Sequence, residues 1–130
     1  MDKSATQWMI EPLRKYATFS GRARRKEYWW FALFTGLVSM VCTIGDFIIM
    51  GADEMFVYGG GPLLGIASLA LILPSLAVTV RRLHDRDRSG WFILLGLLPL
   101  VGVIILFIWY VSRGTIGDNR FGPDPLAGEA

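Results

Sequence analysis

Residues 28–50, YWWFALFTGLVSMVCTIGDFIIM, form the first long apolar segment of this chain. Among its 23 residues the only charged side chain is Asp46. At a helical rise of ~1.5 Å per residue the stretch would extend roughly 34 Å, enough to cross the hydrocarbon core of a bilayer. It opens on Tyr28, Trp29 and Trp30, aromatic residues of the kind that anchor a helix at the membrane interface. It is too long for the apolar core of a removable signal peptide, so it predicts a transmembrane helix.

Two further apolar segments follow, at residues 62–80 and 91–111, and neither contains a charged residue. Hydrophobic residues make up 53% of the chain and charged residues only 18%, and nearly all the charges lie between the segments. This segregation is typical of a membrane protein, because soluble domains spread charge along amphipathic elements. We therefore predict an all-α polytopic membrane protein whose transmembrane domain, residues 28–111, has three transmembrane helices at 28–50, 62–80 and 91–111.

Residues 1–27 form a basic N-terminal segment that carries seven of the thirteen Lys and Arg residues. Its apolar residues Trp8, Met9, Leu13 and Tyr16 recur at roughly helical spacing. The pattern predicts a short amphipathic helix that lies on the cytoplasmic membrane surface. A flexible basic arm is the alternative interpretation.

The distribution of basic residues predicts the orientation, because short flanks rich in Lys and Arg stay in the cytoplasm. The loop at residues 51–61 has none, the 81–90 turn has four, and the Gly/Pro-rich tail at residues 112–130 has two. With three spans and a cytoplasmic N-terminus, eleven of the thirteen basic residues are cytoplasmic and the tail faces outward. The alternative is that Pro99 and Gly102 break the third segment into a re-entrant hairpin, which would return the tail to the cytoplasm.

Small and polar residues share one face of each of the first two segments, which is typical of helix packing in membranes. The first face holds Gly36, Ser39, Thr43 and Asp46, and the second holds Gly61, Gly65, Ser68 and Ser75. We expect the Gly61–Gly65 face to be closely packed, within one chain or between chains. Asp46 lies near the end of its segment, which favours an interfacial or helix-packing role over a proton relay. Pro74 should kink the second segment and free the carbonyl of Ala70.

Two basic motifs flank the membrane segments and contain the candidate binding residues. The candidates for anion or lipid-headgroup binding are Arg22, Arg24, Arg25, Arg81, Arg82 and His84. Arginine binds phosphate through a bidentate fork, and histidine can donate a hydrogen bond or exchange a proton near neutral pH. The simplest interpretation of the 81–90 stretch is a cytoplasmic turn whose arginines contact lipid phosphate. An anion pocket is the second interpretation, and catalysis by His84 and Asp85 is the third.

Glu27 and Asp85 are the candidates for structural pairing with these arginines. Glu27 should lie at the same membrane depth as Arg81 and Arg82, because both flanks are cytoplasmic in the predicted topology. We expect it to pair with one of the two, which leaves the other to face phosphate. Asp85 would be an i, i+4 neighbour of Arg81 if the second helix continues past residue 80.

Several classes of function find no support in the sequence. One histidine and one cysteine give no metal-ligand spacing, and the glycine run at residues 59–61 lacks the Lys-Ser/Thr of a phosphate-binding loop. We predict no cofactor, no metal and no catalytic residue. The basic residues adjoin membrane segments, so lipid explains them better than nucleic acid does.

Three motifs in order resemble a known family. They are FSGRARRKEYW at residues 19–29, RRLHDRDRSGW at residues 81–91 and GTIGDNRFGPDP at residues 114–125. Together they closely resemble the YhaH-like bacterial inner-membrane family, domain of unknown function 805. The resemblance implies a small multi-pass protein of the bacterial inner membrane. It implies no activity, so no catalytic residue is carried over.

The sequence therefore predicts a non-enzymatic inner-membrane protein with a cytoplasmic N-terminus. Its expected partners are membrane lipids, especially anionic ones, and a second copy of the chain or another membrane protein. An oligomeric small transporter or channel and an enzyme acting on a phosphorylated lipid are the alternatives.

Overall fold

The computed structural model of this chain describes residues 3–126, and it is built from helices. Their bounds are α1 Ala5–Arg14, α2 Arg25–Tyr58, α3 Pro62–Asp85, a 3₁₀ helix Gly90–Leu97 and α4 Val101–Val111. Within the described residues, α2 and α3 are the two helices long and apolar enough to cross a membrane, and α4 is a shorter apolar helix. The predicted all-α class is confirmed, whereas the third predicted span has a different structure.

α1 lies where the sequence predicts a short helix, and a reciprocal cap begins it. The Ser4 hydroxyl accepts from the Gln7 N–H at 3.3 Å, and the Gln7 side chain accepts from the Ser4 N–H at 2.8 Å. The helix packs against α2 and α3, and Trp8 and Pro12 are buried. One face of α1 therefore contacts the rest of the protein.

α2 continues through the whole first predicted segment and is interrupted at Gly51. Gly51 has φ 83° and ψ 167°, a region of backbone space that is essentially restricted to glycine. The following residues are helical again as far as Tyr58, where the sequence predicts a loop over residues 51–61. That prediction rested on charge and glycine content, whereas Glu54 and Met55 are good helix formers.

α3 begins at Pro62, which suits a first helical turn, and continues past the predicted segment to Asp85. Pro74 lies inside the helix and lacks the N–H that would bond to the Ala70 carbonyl. The Tyr16 hydroxyl donates to that carbonyl at 2.7 Å. The freed carbonyl therefore has a partner from the connection between α1 and α2.

The third apolar segment forms a hairpin, where the sequence predicts one continuous helix over residues 91–111. The 3₁₀ helix ends at Leu97, and α4 packs back against it. At the tip Leu100 has a positive φ of 66°. A Cβ added at Gly102 would overlap the backbone carbonyl of Leu95, so glycine allows the two arms to approach closely. The break into two arms that the sequence offers as the alternative is therefore observed, and the side of the membrane on which the tail lies stays a prediction.

The hairpin returns the tail to the end of α3. The Thr115 N–H donates to the Asp85 carbonyl at 2.6 Å. The Asn119 side-chain amide donates to the His84 carbonyl at 2.9 Å. The beginning of α2, the end of α3 and the tail therefore lie together at one end of the molecule.

The apolar side chains of the long helices are mostly exposed. Ile48 and Leu69 have 78% and 75% of their surface exposed. The buried hydrophobic cluster is small and consists of Ala23, Phe31 and Val78. Helices that expose so much apolar surface are suited to lipid as the surrounding solvent, unlike the core helices of a soluble protein.

Candidate functional site

Six ionisable side chains pack together where α2 begins and α3 ends. We call them the buried polar cluster: Arg22, Glu27, Arg81, Arg82, His84 and Asp85. Each has at most 9% of its surface exposed. Because a buried charge is costly unless it is paired and hydrogen-bonded, the partners of each group determine what the cluster can do.

Arg22 connects Asp85 to the tail. Its Nε donates to Asp85 Oδ1 at 3.0 Å, and its Nη2 lies 3.0 Å from the same oxygen. Nη1 donates to the Gly117 carbonyl at 2.7 Å, and Nη2 donates to the Thr115 carbonyl at 2.6 Å. A Cβ added at Gly114 would overlap the Asp85 carboxylate. The tail therefore approaches the ion pair through a residue that has no side chain.

Arg82 connects the other Asp85 oxygen to the end of α4. Its Nη1 donates to Asp85 Oδ2 at 2.5 Å. Its Nε donates to the Tyr110 carbonyl at 3.1 Å, and its Nη2 donates to the carbonyls of Trp109 and Ser112. The last carbonyls of a helix have no partner within the helix, so Arg82 caps the C-terminus of α4.

Glu27 pairs with Arg81 and joins the N-terminal segment to both long helices. Arg81 Nη1 donates to Glu27 Oε2 at 2.6 Å, and Arg81 Nε donates to the Thr18 carbonyl at 3.0 Å. Lys15 Nζ lies 3.3 Å from Glu27 Oε1. The sequence predicts that Glu27 pairs with either Arg81 or Arg82, and in the structure its partner is Arg81.

Three of the predicted headgroup ligands, Arg22, Arg81 and Arg82, face the interior of the protein. Carboxylates and main-chain carbonyls occupy the positions around them where the sequence predicts phosphate. Arg82, which should face phosphate once Arg81 pairs with Glu27, caps α4 instead. The physical reason is the hairpin, because it brings the end of α4 and the tail to this end of the molecule. The three-span prediction placed them on the opposite side.

His84 and Asp85 bond to other groups and not to each other in the described structure. His84 Nδ1 lies 2.9 Å from the Gly21 carbonyl, and the ring stacks on Phe121 with centroids 4.0 Å apart. Both Asp85 oxygens bond to arginines. The geometry therefore gives no support to a His84–Asp85 acid–base pair. Nor do three or more His, Cys, Asp or Glu side chains meet as a metal site within residues 3–126.

Asp46 caps the beginning of α3 from the neighbouring helix. It is fully buried, and its carboxylate accepts the N–H groups of Leu63 at 2.9 Å and Leu64 at 3.0 Å. A Cβ added at Gly61 would overlap this carboxylate, whereas one added at Gly65 would meet no atom within 4 Å. The helix-packing role of Asp46 is confirmed. The predicted close packing holds at Gly61 and is wrong at Gly65 within the described chain.

The remaining predicted arginines, Arg24 and Arg25, line a cavity between the beginning of α2 and the end of α4. We call it the basic–aromatic cavity. Its volume is about 620 Å³, and Lys26, Trp29 and Trp30 also line it. The Trp29 indole N–H donates to the Tyr110 carbonyl at 3.0 Å, which orients the ring against α4. Positive charge and tryptophan rings therefore lie together at this cavity.

Sequence reasoning missed two parts of these sites. From the sequence, Trp29 and Trp30 are expected only to anchor a helix, although their position directly after the basic run also indicates a binding surface. The tail was assigned to ordinary turns, yet its carbonyls at Thr115 and Gly117 are ligands of Arg22. Every residue has a main-chain carbonyl, so the amino-acid sequence does not indicate which carbonyls bind Arg22. Only the folded structure identifies them.

A family model and the related proteins of known sequence all place this chain in one family. The family model described as "Protein of unknown function (DUF805)" matches residues 16–123. Inner membrane protein YhaI of Escherichia coli (strain K12) is 41% identical over 122 residues, covering 94% of this chain and 98% of the relative. Inner membrane protein YhaH of the same strain is 43% identical over 122 residues, covering 91% and 95%. Uncharacterized protein YiiR of that strain is 31% identical over 145 residues, covering 91% and 88%.

No solved structure matches this chain at a significant level. The relatives named as inner membrane proteins, together with the exposed apolar helices, identify an integral membrane protein. By its family model and by relatives that match nearly the whole chain, this protein belongs to the DUF805 family of proteins of unknown function.

Proposed function

We propose that this protein is a non-enzymatic, multi-pass protein of the bacterial inner membrane that binds anionic phospholipid in the basic–aromatic cavity. α2 and α3 cross the membrane, and the hairpin formed by the 3₁₀ helix and α4 enters and leaves on the cytoplasmic side. The N-terminal segment and the tail are both cytoplasmic, and α1 lies at that membrane surface.

Helix lengths and charge support this topology. The 24 residues of α3 extend roughly 36 Å, whereas the 11 residues of α4 extend only about 17 Å, half of a bilayer core. With the tail beside the end of α3, all thirteen Lys and Arg residues lie at one side of the membrane. Residues 51–61, at the opposite side, contain Asp53 and Glu54 and no basic residue. All thirteen basic residues are cytoplasmic in this topology, whereas only eleven are cytoplasmic in the topology with three spans. The proposed topology therefore agrees better with the positive-inside rule.

The observation that carries lipid binding is the lining of the basic–aromatic cavity. Three consecutive basic residues, Arg24 to Lys26, stand beside Trp29 and Trp30 at the cytoplasmic end of α2. Tryptophan rings prefer the headgroup level of the bilayer, and each basic residue there attracts anionic lipid by about 1 kcal/mol. Arg25 and Lys26 are exposed at this cavity, whereas Arg22, Arg81 and Arg82 are buried against carboxylates and main-chain carbonyls. The charges of the cavity are therefore better placed to reach a lipid phosphate.

Lipid retention in native mass spectrometry tests the proposal. We expect the purified protein to retain phosphatidylglycerol in preference to phosphatidylcholine. Arg25→Gln should lower this retention about fivefold, the effect of removing one charge of ~1 kcal/mol. Arg14→Gln, an exposed arginine outside the cavity, is the matched control and should change it little. Equal retention of the two lipids, or equal effects of the two substitutions, would contradict the proposed site.

A further inference from the structure

A second cavity lies between the end of α3 and the first arm of the hairpin, and we call it the His84 cavity. Its volume is about 480 Å³. Its apolar walls include Phe19, Leu76, Val80, Trp91 and Ile93. The polar side chains that line it are His84 and Ser89. It shares no lining residue with the basic–aromatic cavity.

The His84 ring is held in one orientation and one tautomer. Its Nδ1 lies 2.9 Å from the Gly21 carbonyl, which can only accept, so Nδ1 carries the proton. The ring stacks on Phe121 with an interplanar angle of 2° and is 9% exposed. No described residue forms a hydrogen bond to Nε2. In the neutral ring Nε2 is an acceptor, so the cavity contains one acceptor that has no donor among residues 3–126.

Ser89 supplies the opposite hydrogen-bonding role. Its hydroxyl oxygen accepts from the Trp91 N–H at 3.3 Å, which starts the 3₁₀ helix and leaves the O–H free to donate. The neighbouring arginines are directed elsewhere. Arg86 donates to the Arg113 carbonyl at 2.8 Å, and Arg88 lies over the Trp109 ring. The cavity therefore combines apolar walls with the His84 acceptor and the neutral Ser89 donor, and within the part of the chain that the structure describes no Lys, Arg, Asp or Glu lines it.

We propose that the His84 cavity binds a neutral amphipathic molecule with a hydroxyl group on an apolar chain or ring. The ligand hydroxyl donates to His84 Nε2, and the apolar part lies against Leu76 and Ile93. A cavity of this volume is within the usual range for small-molecule sites. Trp91, which lines the cavity, is 79% exposed, so the cavity is open to its surroundings, and we expect the ligand to enter from the bilayer. This ligand is different from the anionic phospholipid of the proposed function.

Photolabelling of the full-length protein in detergent tests this proposal. Three diazirine probes share one long alkyl chain and differ in the head: an alcohol, a plain alkane and a carboxylate. We expect the alcohol to label the peptide containing Trp91 and Ile93 about fivefold more strongly than the alkane, the usual effect of one neutral hydrogen bond. His84→Leu should reduce alcohol labelling to the alkane level. Competition by an unlabelled isoprenoid alcohol or an alkylated hydroquinone then distinguishes a chain from a ring as the natural source.

If His84→Leu does not fold, a second variant that fills the cavity tests the same proposal. Leu76→Trp places an indole in the cavity and should abolish labelling by the alcohol. Leu69→Trp, on the same helix but outside the cavity and 75% exposed, is the matched control and should label like the unchanged protein. Equal labelling by all three probes, strongest labelling by the carboxylate, or full labelling of a folded Leu76→Trp protein would overturn the proposal.

Discussion

The Tyr16 hydroxyl donates at 2.7 Å to the Ala70 carbonyl, the group that Pro74 leaves without its usual helical partner. The connection between α1 and α2 thus completes a hydrogen bond that α3 lacks. Unsatisfied main-chain groups are costly in a membrane, so this contact makes the interior proline tolerable.

Tyr16→Phe should therefore lower the free energy of unfolding by about 0.5–1.5 kcal/mol, the value of one hydrogen bond. In a Pro74→Ala background residue 74 regains an N–H that can bond to Ala70, so the cost of Tyr16→Phe should nearly vanish. Thermal unfolding of the four proteins in detergent measures the coupling. Tyr58→Phe, at a tyrosine that is 75% exposed, is the control. The same cost in both backgrounds would show that the Tyr16 hydroxyl does not serve this carbonyl.

The buried Glu27–Arg81 pair should show strong energetic coupling. Removing either charge leaves the other buried without its closest partner, although Lys15 still lies 3.3 Å from Glu27, whereas removing both charges avoids this penalty. A double-mutant cycle with Glu27→Gln and Arg81→Gln should give a coupling of roughly 0.5–3 kcal/mol. The exposed Asp87–Arg120 pair, at 3.3 Å, provides the comparison and should couple by about 0–1 kcal/mol. Additive effects at Glu27 and Arg81 would disprove the pairing.

Replacement by alanine should change the stability of the protein in opposite directions at Gly61, the N-cap of α3, and at Gly65, within α3. Gly61→Ala drives a methyl group into the buried Asp46 carboxylate and should destabilise the protein by about 1–3 kcal/mol. Gly65→Ala meets open space within a helix and should stabilise it by about 0.5–1 kcal/mol. Thermal melting in detergent compares the two. A large loss of stability at Gly65 would indicate that a second chain packs on this face.

The structure within the tail should loosen in acid. Main-chain N–H groups of Leu126 and Gly117, at 2.9 and 2.8 Å, lower the pKa of Asp124 from its ordinary value of 3.8. Ionised Asp124 is thus favoured in the folded tail, so this contribution to the tail's stability is present above pH 3.8 and is lost as the pH falls through the lowered pKa. Hydrogen exchange of residues 114–126, corrected for intrinsic rates, should show less protection below that pH. Asp124→Asn should remove the dependence, and better protection in acid would contradict it.

The sequence predicts much of this fold because its main determinants are local. Residues 28–50 and 62–80 are apolar enough to specify long helices, and Pro74 identifies the carbonyl that it frees. The position of Asp46 near a segment end also predicts its packing role. These inferences require only helical geometry and the cost of unpaired polar groups.

The parts that the sequence does not predict depend on long-range contacts. Pro99 and Gly102 are compatible with a kinked span or a hairpin, and the close approach of Gly102 to the Leu95 carbonyl exists only in the folded hairpin. Arg22 bonds to main-chain carbonyls nearly a hundred residues away in the sequence. The composition of the tail does not indicate that its carbonyls are ligands, so the sequence alone predicts phosphate as the partner of these arginines.

The proposed topology places the tail on the same side of the membrane as the N-terminal segment, and cysteine accessibility tests this. In a Cys42→Ser background, single cysteines replace Ser20, Phe56 and Ile116, which are exposed in the structure. In intact spheroplasts a membrane-impermeant maleimide should label Phe56→Cys and leave Ser20→Cys and Ile116→Cys unlabelled until the membrane is opened. Thr115 and Asp85 are hydrogen-bonded neighbours, so the tail has to follow the 81–90 turn. Labelling of Ile116→Cys together with Phe56→Cys would instead require the hairpin to open into a third span, and would separate Arg22 from its tail carbonyls.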